Sequence, residues 1–305
     1  MLIKVFSAPI TADQYAPLLS KAVIVKLCLH LLILIPPFFI AYSTKGLWLR
    51  EEFYQEQPDV EFTRELIVIL HGSTPHSILT WSTLPSYNRL LQTRIRIPLF
   101  KFREEDANQD GIRDYIDVSM EFPMQLDDDV THVTCLLIHE VKLSKHALVT
   151  LRGMSYLDYA AAGQGHAIHF SGEMRVRQRN ALPSYGKLTT YNTQILNSSS
   201  PYASDYDLNT IITNYLTRNL STFVDNIIPV WQYGQAVGQP FTLSARIYYP
   251  NQLLFYQPEF WQVVKFAWIQ YLAIVILFIF VADVITRYIF TNFLIPTIVM
   301  SNEKS

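Results

Sequence analysis

The sequence predicts a mainly β membrane protein, in which two transmembrane helices bracket an extracytoplasmic antiparallel β-sandwich-like domain with one short amphipathic helix. The chain has 305 residues and only 16% of them are charged, whereas soluble domains carry about 25%. The deficit is concentrated in two apolar windows. Between these windows, apolar and polar residues alternate, as in strands with one face on a core.

This composition excludes several classes of protein. A fully soluble enzyme, a fibrous chain and a disordered chain do not fit it, and two spans are too few to enclose the path of a many-pass transporter. The net charge of −2 implies no general affinity for nucleic acid. The two cysteines, Cys28 and Cys135, cannot build a disulfide framework.

The apolar windows set the predicted domain boundaries. About 20 apolar residues cross the ~30 Å hydrocarbon core of a bilayer. We therefore expect a cytoplasmic tail over 1–21, a first span over 22–42, an extracytoplasmic domain over 43–262, a second span over 263–283 and a cytoplasmic tail over 284–305. A signal peptide is the alternative for the first window, but its apolar region is typically only 7–15 residues long.

Four polar residues lie in or beside the two spans. They are Lys26, His30, Gln270 and Asp283. Polar groups inside a bilayer usually face protein or water rather than lipid, so we expect them to pack against a helix. Pro36 and Pro37 should kink the first span.

The orientation of the spans rests on two sequons. Lysine and arginine residues flank both sides of the spans about equally, so the positive-inside rule does not indicate which side is cytoplasmic. Asn197-Ser198-Ser199 and Asn219-Leu220-Ser221 are acceptors for N-glycosylation. Both lie in the middle segment, which favours an outer location for that segment and cytoplasmic termini.

The spacing of apolar residues divides the middle segment into predicted strands and one predicted helix. Alternating runs predict strands over 60–70, 95–99, 116–122, 168–176 and 241–249, and the more uniformly apolar run 133–143 predicts a central strand. Apolar residues at the helical spacing i, i+3, i+4, i+7 and i+8 predict an amphipathic helix over 208–216, with Ser204 or Asp205 as its N-cap.

The loop from Asp106 has the pattern D-x-N-x-D-G-x-x-D. Oxygen ligands at alternate positions can wrap one hard cation, and the glycine permits the sharp turn that such a loop needs. Its candidate calcium ligands are Asp106, Asn108, Asp110, Ile112 (through its carbonyl), Asp114 and Asp117. The flanking segments are predicted strands, so this is not an ordinary EF-hand. The alternative is a polar hairpin turn at Asp110-Gly111 that binds no metal.

No catalytic motif is recognisable, and we expect the protein not to be an enzyme. The sequence contains no G-x-S-x-G, no H-E-x-x-H and no phosphate-binding glycine loop. A zinc site is not expected either. The candidates are His132, Cys135, His139 and His146. On a strand Cys135 and His139 share a face while His132 and His146 point the other way, and tetrahedral zinc needs ligands that converge.

Short motifs along the chain resemble the transmembrane protein 231 family of the ciliary transition zone. In chain order they are Phe6-Ser7, Pro9, Ser20-Lys21-Ala22, Ile35-Pro36-Pro37, Trp48-Leu49, Glu56-Gln57-Pro58, Trp81-Ser82-Thr83, Pro85, Asn88-Arg89-Leu90, Arg103-Glu104-Glu105-Asp106, Asn108-Gln109-Asp110-Gly111, Ser200-Pro201, Asp205-Tyr206-Asp207-Leu208, Tyr256-Gln257-Pro258, Phe260-Trp261, Val264-Lys265-Phe266-Ala267-Trp268 and Gln270-Tyr271. Each motif alone is unspecific, but their order around two spans is specific.

The resemblance implies a structural subunit of the Meckel-syndrome complex, located in the ciliary membrane at the transition zone. That role is in cilium assembly and in the diffusion barrier that controls the membrane protein composition of the cilium. The implied partners are tectonics, meckelin and B-nine-domain proteins, besides the lipid bilayer, with no nucleic acid and no small-molecule substrate. No cofactor is implied beyond the possible structural calcium.

Two other functions fit parts of the sequence. Some trimeric channels have two spans around a large β-rich domain, so the chain could be a ligand-binding or accessory subunit of a two-span channel or receptor complex. Those subunits usually carry several disulfides, which two cysteines cannot supply. A membrane-tethered hydrolase is the third option, and the absence of catalytic motifs argues against it.

Overall fold

A computed structural model describes residues 13–18, 20–44, 47–74, 77–234 and 238–300. The chain divides into two compact units. Residues Met1–Arg50 and Pro258–Ser305 form the first, called here the helical unit, and Glu51–Gln257 form the second, the β unit. The protein is thus a mainly β chain in which one candidate membrane helix precedes, and another follows, a β-sandwich-like region in the sequence.

The helical unit contains two long apolar helices. Helix α1 spans Lys21–Ser43 and helix α4 spans Phe260–Thr291. At 1.5 Å per residue they are about 35 and 48 Å long, so both can cross a ~30 Å hydrocarbon core. Helix α4 extends beyond the predicted span on both sides. The Ser20 side chain accepts a hydrogen bond from the backbone N–H of Val23 and caps α1.

Small residues mark the contact between the two helices. Ala22, Pro37 and Ala41 are buried on α1, and Val263 and Ala282 are buried on α4. Small side chains let two helix backbones approach closely. The large apolar side chains of both helices are mostly exposed, as expected for a lipid-facing surface.

The proline pair lies inside α1 without ending it. Proline removes a backbone donor and disturbs the hydrogen bonds of the preceding turn. The Tyr271 hydroxyl of α4 donates to the Leu34 carbonyl at 3.2 Å, two residues before Pro36. The carbonyls that lose their helical donors to the prolines are those of Leu32 and Ile33, so this bond joins α4 to α1 beside the disturbed turn without replacing a lost donor.

The two ends of the chain meet in a short ribbon. Strand β1 (Asp13–Tyr15) pairs antiparallel with β14 (Ile298–Met300). The Gln14 side chain donates to the Phe290 carbonyl at 3.2 Å and accepts from the Thr297 hydroxyl at 3.1 Å. The strand before α1 and the strand after α4 therefore lie together.

The β unit contains two five-stranded sheets and a two-stranded ribbon. Its strands are β2 (Glu52–Glu56), β3 (Asp59–His71), β4 (Ile78–Ser82), β5 (Leu99–Glu105), β6 (Tyr115–Phe122), β7 (His132–Leu143), β8 (Leu148–Ala160), β9 (Gly165–Gln178), β10 (Lys187–Leu188), β11 (Leu220–Tyr233), β12 (Phe241–Tyr248) and β13 (Gln252–Tyr256). Sheet I has the order β10-β8-β7-β3-β4, and sheet II has the order β11-β9-β12-β6-β5. Strands β13 and β2 form the ribbon.

Two strand pairs depart from the antiparallel expectation. Strand β12 pairs parallel with β9, and β10 pairs parallel with β8. The first has a topological cause. Strand β11 returns the chain to the beginning of β9, and the next strand crosses to the other side of β9. It therefore starts at the same end as β9 and runs in the same direction.

Two apolar clusters hold the β unit together. The larger lies between the sheets and takes the inward side chains of both, such as Val68 and Leu137 of sheet I and Met120 and Leu243 of sheet II. The smaller lies on the outer face of sheet I, where helices α2 (Pro85–Leu90) and α3 (Leu208–Leu216) cover it. Tyr215 of α3 is among the largest fully buried side chains.

Two local expectations need correction. The predicted strand over 95–99 is wrong. Strand β5 begins only at Leu99, and Ile95 forms an isolated bridge with Thr80. Pro98 has no N–H to donate to a ladder. The N-cap of α3 is Asp207, whose carboxylate accepts from the Thr210 N–H at 3.1 Å, because a short 3₁₀ helix occupies Ala203–Tyr206.

Candidate functional site

The acidic loop connects β5 to β6 as a hairpin. The Asp114 N–H donates to the Glu105 carbonyl at 2.8 Å and closes it. Gln109 and Gly111 have φ of 60° and 87°, the left-handed region where glycine is favoured. Gly111 therefore supplies the sharp turn that the motif predicts.

The side-chain oxygens of the loop accept hydrogen bonds from its own backbone. The Asp106 carboxylate accepts from the N–H of Gly111 at 2.9 Å. The Asn108 side-chain oxygen accepts from the N–H of Asp110 at 3.0 Å, and the Asp110 carboxylate accepts from the N–H of Ile112 at 2.8 Å. These bonds account for the shape of the turn with protein groups alone.

Asp114 ties the loop to the β2–β3 connection. Its carboxylate accepts from the Gln57 side chain at 2.9 Å and from the backbone N–H of Ala107 at 2.8 Å. The hydrogen bond from Gln57, together with those from Ala107 and Asn108, lowers the pKa of Asp114 below its usual value, because each favours the ionised form. Asp114 is thus held as a carboxylate.

Asp117, the residue at position twelve of the motif, has another partner. Both of its carboxylate oxygens accept from the Arg246 guanidinium of the neighbouring strand β12, at 2.6 and 2.7 Å. The Arg246 guanidinium also lies 4.8 Å from the centre of the Tyr115 ring. No three His, Cys, Asp or Glu side chains in the described part of the chain are grouped to hold a metal. Calcium binding stays a prediction.

Sequence reasoning missed Arg113, which links the loop to sheet I. Its guanidinium pairs with Asp59 at 2.9 Å and with Glu104 at 3.2 Å, and it lies 3.9 Å from Glu61. Asp59 and Glu61 of β3 are far in the sequence from Glu104 and Arg113, and they meet only because β3 passes the base of the hairpin. No spacing in the sequence could have indicated this cluster.

Both sequon asparagines are exposed in the β unit. Asn197 lies in a loop, where its side-chain oxygen accepts from the Ser199 hydroxyl at 3.2 Å. Asn219 lies between α3 and β11, and Ser221 of its sequon is buried in β11. Glycan attachment at either residue stays a prediction.

Lys26 and His30 are exposed on α1 and lie one helical turn apart. The His30 ring nitrogen Nδ1 hydrogen-bonds to the Lys26 carbonyl at 2.7 Å. A carbonyl oxygen only accepts, so Nδ1 carries the hydrogen, and Nε2 of the neutral ring is an acceptor. Neither side chain is buried against α4.

Gln270 and Asp283 occupy different settings on α4. Gln270 is half-buried, and its side-chain oxygen Oε1 has no hydrogen-bond partner among the described residues. Asp283 is exposed and pairs with Arg287 one turn later, at 2.6 Å. The four polar residues of the spans are therefore not brought together into one site.

The candidate zinc residues are also separated. Cys135 and His139 are fully buried between the sheets. His132 lies on the outer face of sheet I, where its Nε2 pairs with Asp158 at 2.9 Å. His146 stacks on the Tyr256 ring, with ring centres 5.0 Å apart.

Comparisons with known proteins match nearly the whole chain. The residue pattern of the family described as Transmembrane protein 231 matches residues 1–299. Proteins of that name are 38% identical over 292 residues in Gallus gallus, covering 95% of this chain and 91% of the relative, and 37% identical over 298 residues in Homo sapiens, covering 97% and 94%. The Xenopus tropicalis protein is 36% identical over 297 residues, covering 97% and 95%.

One solved structure also aligns with the chain. It is described as a cryo-EM structure of a proton-activated chloride channel, with 9% sequence identity and a TM-score of 0.30, and the alignment covers 88% of this chain and 97% of the channel chain. The sequence matches are far stronger and extend through both helices and the β unit. The chain belongs to the transmembrane protein 231 family.

Proposed function

We propose that this protein is a structural, non-enzymatic subunit of the ciliary transition-zone complex. In that role it contributes to cilium assembly and to the diffusion barrier between the ciliary and plasma membranes. The observation that carries the proposal is the match to the transmembrane protein 231 family over residues 1–299. Its expected partners are tectonics, meckelin and B-nine-domain proteins.

The architecture supports a scaffold rather than a transport path. Two helices are long and apolar enough to span a membrane in the part of the chain that the structure describes, and two spans cannot enclose a channel within one chain. The β unit is rigid, because both sheets contribute to one continuous apolar core. Such a unit can present fixed surfaces to other subunits.

The proposed orientation places both termini in the cytoplasm and the β unit outside. Two observations support this orientation. Both sequon asparagines are exposed in the β unit, and β1, which precedes α1, pairs with β14, which follows α4.

The experiment is localisation of the chain tagged at its C-terminus in a ciliated cell. The expected result is a ring between the basal body and the axoneme. Loss of the endogenous protein should admit plasma-membrane proteins to the cilium, and re-expression of the tagged chain should restore their exclusion. A tagged chain spread evenly over the cell surface would contradict the proposal.

A further inference from the structure

Strand β5 is a long edge strand that the described part of the chain leaves unprotected. It lies at the end of sheet II, with β6 as its neighbour, and its seven residues pair with β6 without a bulge. An edge strand has unpaired backbone N–H and C=O groups on its outer side, so it can accept a further strand.

The other three edge strands of the two main sheets carry features that hinder strand addition. Strand β10 has only two residues. Strand β4 is partly covered, because the Arg96 N–H donates to the Thr80 carbonyl at 3.2 Å. Strand β11 has a register shift between Asp225 and Ile228 and contains Pro229, which has no N–H. Strand β5 has neither a proline nor a bulge.

The two faces of β5 differ in chemistry. Phe102 lies opposite Val118, which is buried between the sheets, and directly opposite residues share a face of the sheet. Phe102 and Phe100 are therefore on the core face, whereas Lys101 and Arg103 are on the outer face. The Phe102 side chain is nevertheless 37% exposed, because no strand lies beyond it.

The charges along this edge are mostly positive. Among the described residues, Lys101 and Arg64 make no ion pair, and Arg103 is exposed and pairs with Glu105 of its own strand. The Arg64 guanidinium extends from β3 to 5.7 Å from the centre of the Phe102 ring. Two cations without a carboxylate therefore flank an edge whose backbone groups and aromatic ring are accessible.

A second copy of β5 fits this edge poorly. In an antiparallel pair centred on Phe102, Lys101 of one copy would lie opposite Arg103 of the other. In a pair centred on Arg103, this residue would lie opposite itself. Like charges directly opposite each other are destabilising, whereas opposite charges stabilise a strand pair. The edge is therefore complementary to an acidic strand.

We propose that β5 is the docking edge for an extended segment of another protein in which acidic residues alternate with apolar ones. The acidic side chains would lie beside Lys101 and Arg103, and the apolar ones would cover Phe100 and Phe102. Backbone hydrogen bonds would extend sheet II by one strand. This inference rests on the proposed function, because it assigns the partner chemistry of a subunit in a complex.

The test uses the full chain in detergent with a synthetic peptide as the probe. The peptide is Thr-Val-Glu-Val-Glu-Val-Thr between Gly-Ser ends, and its core reads the same in both directions, so that parallel and antiparallel docking are both sampled. Fluorescence anisotropy compares its binding with that of the same peptide carrying Lys in place of Glu. We expect the Glu peptide to bind about tenfold more tightly, because two opposite-charge pairs replace two like-charge pairs.

Charge variants of the chain locate the binding edge. Lys101→Glu with Arg103→Glu should reverse the preference, so that the Lys peptide binds more tightly than the Glu peptide. The control, Arg177→Glu with Lys187→Glu, makes the same change of charge at exposed residues of β9 and β10 and should keep the preference for Glu. Thermal melting verifies that both variants are folded.

N-methylated peptides test strand pairing without any change to the chain. A docked strand directs alternate backbone N–H groups toward β5 and the others away from it. Two forms of the Glu peptide are each methylated at every second amide, in opposite phase. One form should lose binding and the other should keep it, and hydrogen exchange of the β5 amides should slow in the complex with the unmethylated peptide.

Three outcomes would overturn the inference. The first is equal binding of the Glu and Lys peptides, or a preference for Glu that survives Lys101→Glu with Arg103→Glu. The second is equal binding of the two methylated forms, which would show attraction between charges without strand pairing. The third is protection of the β5 amides that rises with the concentration of the chain alone, which would assign the edge to a second copy. The assay contains no ciliary protein, so it can fail while the chain still localises to the transition zone, and the reverse also holds.

Discussion

His139 lies in the inter-sheet core with no route to solvent. It is fully buried on β7, and neither ring nitrogen has a hydrogen-bond partner among the described residues. Its ring centre lies 5.5 Å from that of Phe62 and 6.3 Å from that of Tyr249. Burial lowers the pKa of His139 from 6.5 to about 3, because an imidazolium in an apolar core has lost its hydration.

This histidine should make the stability of the β unit fall with acid. Above pH 6.5 the residue is neutral in both the folded and unfolded states. As the pH falls from 6.5 toward 3, only the unfolded state binds the proton, so the free energy of unfolding drops by about 1.4 kcal/mol per pH unit. We expect thermal melting of the full chain in detergent to show a shallower pH dependence for His139→Leu than for the natural chain.

The control for this measurement is Cys135, which is also fully buried in the inter-sheet core. Burial raises the pKa of its thiol to about 12, so Cys135→Val removes no group that titrates between pH 3 and 6.5 and should leave the pH dependence of melting unchanged. Identical slopes for His139→Leu and the natural chain between pH 6.5 and 5 would contradict the assignment.

The acidic loop should respond to calcium if its carboxylates bind the ion. Extracellular calcium modules have Kd values of about 10⁻⁴–10⁻³ M. At a free concentration ten times Kd, binding would raise the free energy of unfolding by RT ln 11, about 1.4 kcal/mol. Asp110→Ala should abolish the calcium response and relieve part of the repulsion with Asp106 and Asp114. If the melting temperature with calcium, at concentrations up to several millimolar, equals that with chelator, the loop is a polar turn that binds no calcium.

Arg113 should matter more than other arginines near the loop. It is two-thirds buried and pairs with Asp59 and Glu104, so its removal leaves a group of acids without a cation. We expect Arg113→Leu to lower the free energy of unfolding by about 1–2 kcal/mol, a figure reduced for partial exposure. Arg103→Leu is the matched control, since Arg103 is exposed and its one ion pair among the described residues is with Glu105; its cost should be under about 0.5 kcal/mol. Denaturant unfolding measures both.

At the scale of elements, the two membrane helices carry specific contacts rather than uniform apolar surface. The bond from Tyr271 to the Leu34 carbonyl and the small buried residues Ala22 and Ala282 fix how α1 meets α4. Generic apolar helices would have neither feature, although they would still anchor the β unit.

Replacing both spans by polyleucine should therefore separate folding from assembly. The β unit should keep its fold, because its core residues all lie within Glu51–Gln257. Incorporation into the membrane complex should be lost, because the polar and small residues of both helices are gone. Near-ultraviolet circular dichroism reports the first property and sedimentation of the solubilised complex the second. Normal assembly of the polyleucine chain would show that the spans are only tethers.

At the scale of the whole molecule, the orientation can be read from glycosylation. If the β unit faces the outer compartment, Asn197 and Asn219 are both accessible to the glycosylation machinery during synthesis. We expect the chain inserted into microsomes to lose mass on glycosidase treatment, and Asn197→Gln with Asn219→Gln to abolish that change. The single variants measure the use of each sequon.

A protease added outside sealed vesicles gives an independent reading of the same topology. With the proposed orientation, the β unit is protected in the lumen and the tails are digested. Digestion of the β unit with protection of both tails would reverse the topology.

Local sequence patterns predict the class of the molecule and most of its elements. Helix α3 occupies Leu208–Leu216 as the apolar spacing predicts, and the alternating runs of β6, β9 and β12 are strands. These features are local. A helical period, a two-residue period and an apolar window of membrane length can each be recognised within one continuous segment of the sequence. The family could be identified for the same reason, since its motifs are short and ordered along the sequence.

Tertiary packing, in contrast, determines which distant residues meet. It pairs Asp117 with Arg246 across two strands, gathers Asp59, Glu61 and Glu104 around Arg113, and leaves Lys26 and His30 exposed. Such pairings depend on strand order and on how two helices are rotated about their axes. Neither property can be predicted from a local sequence period, because both result from the packing of the whole core.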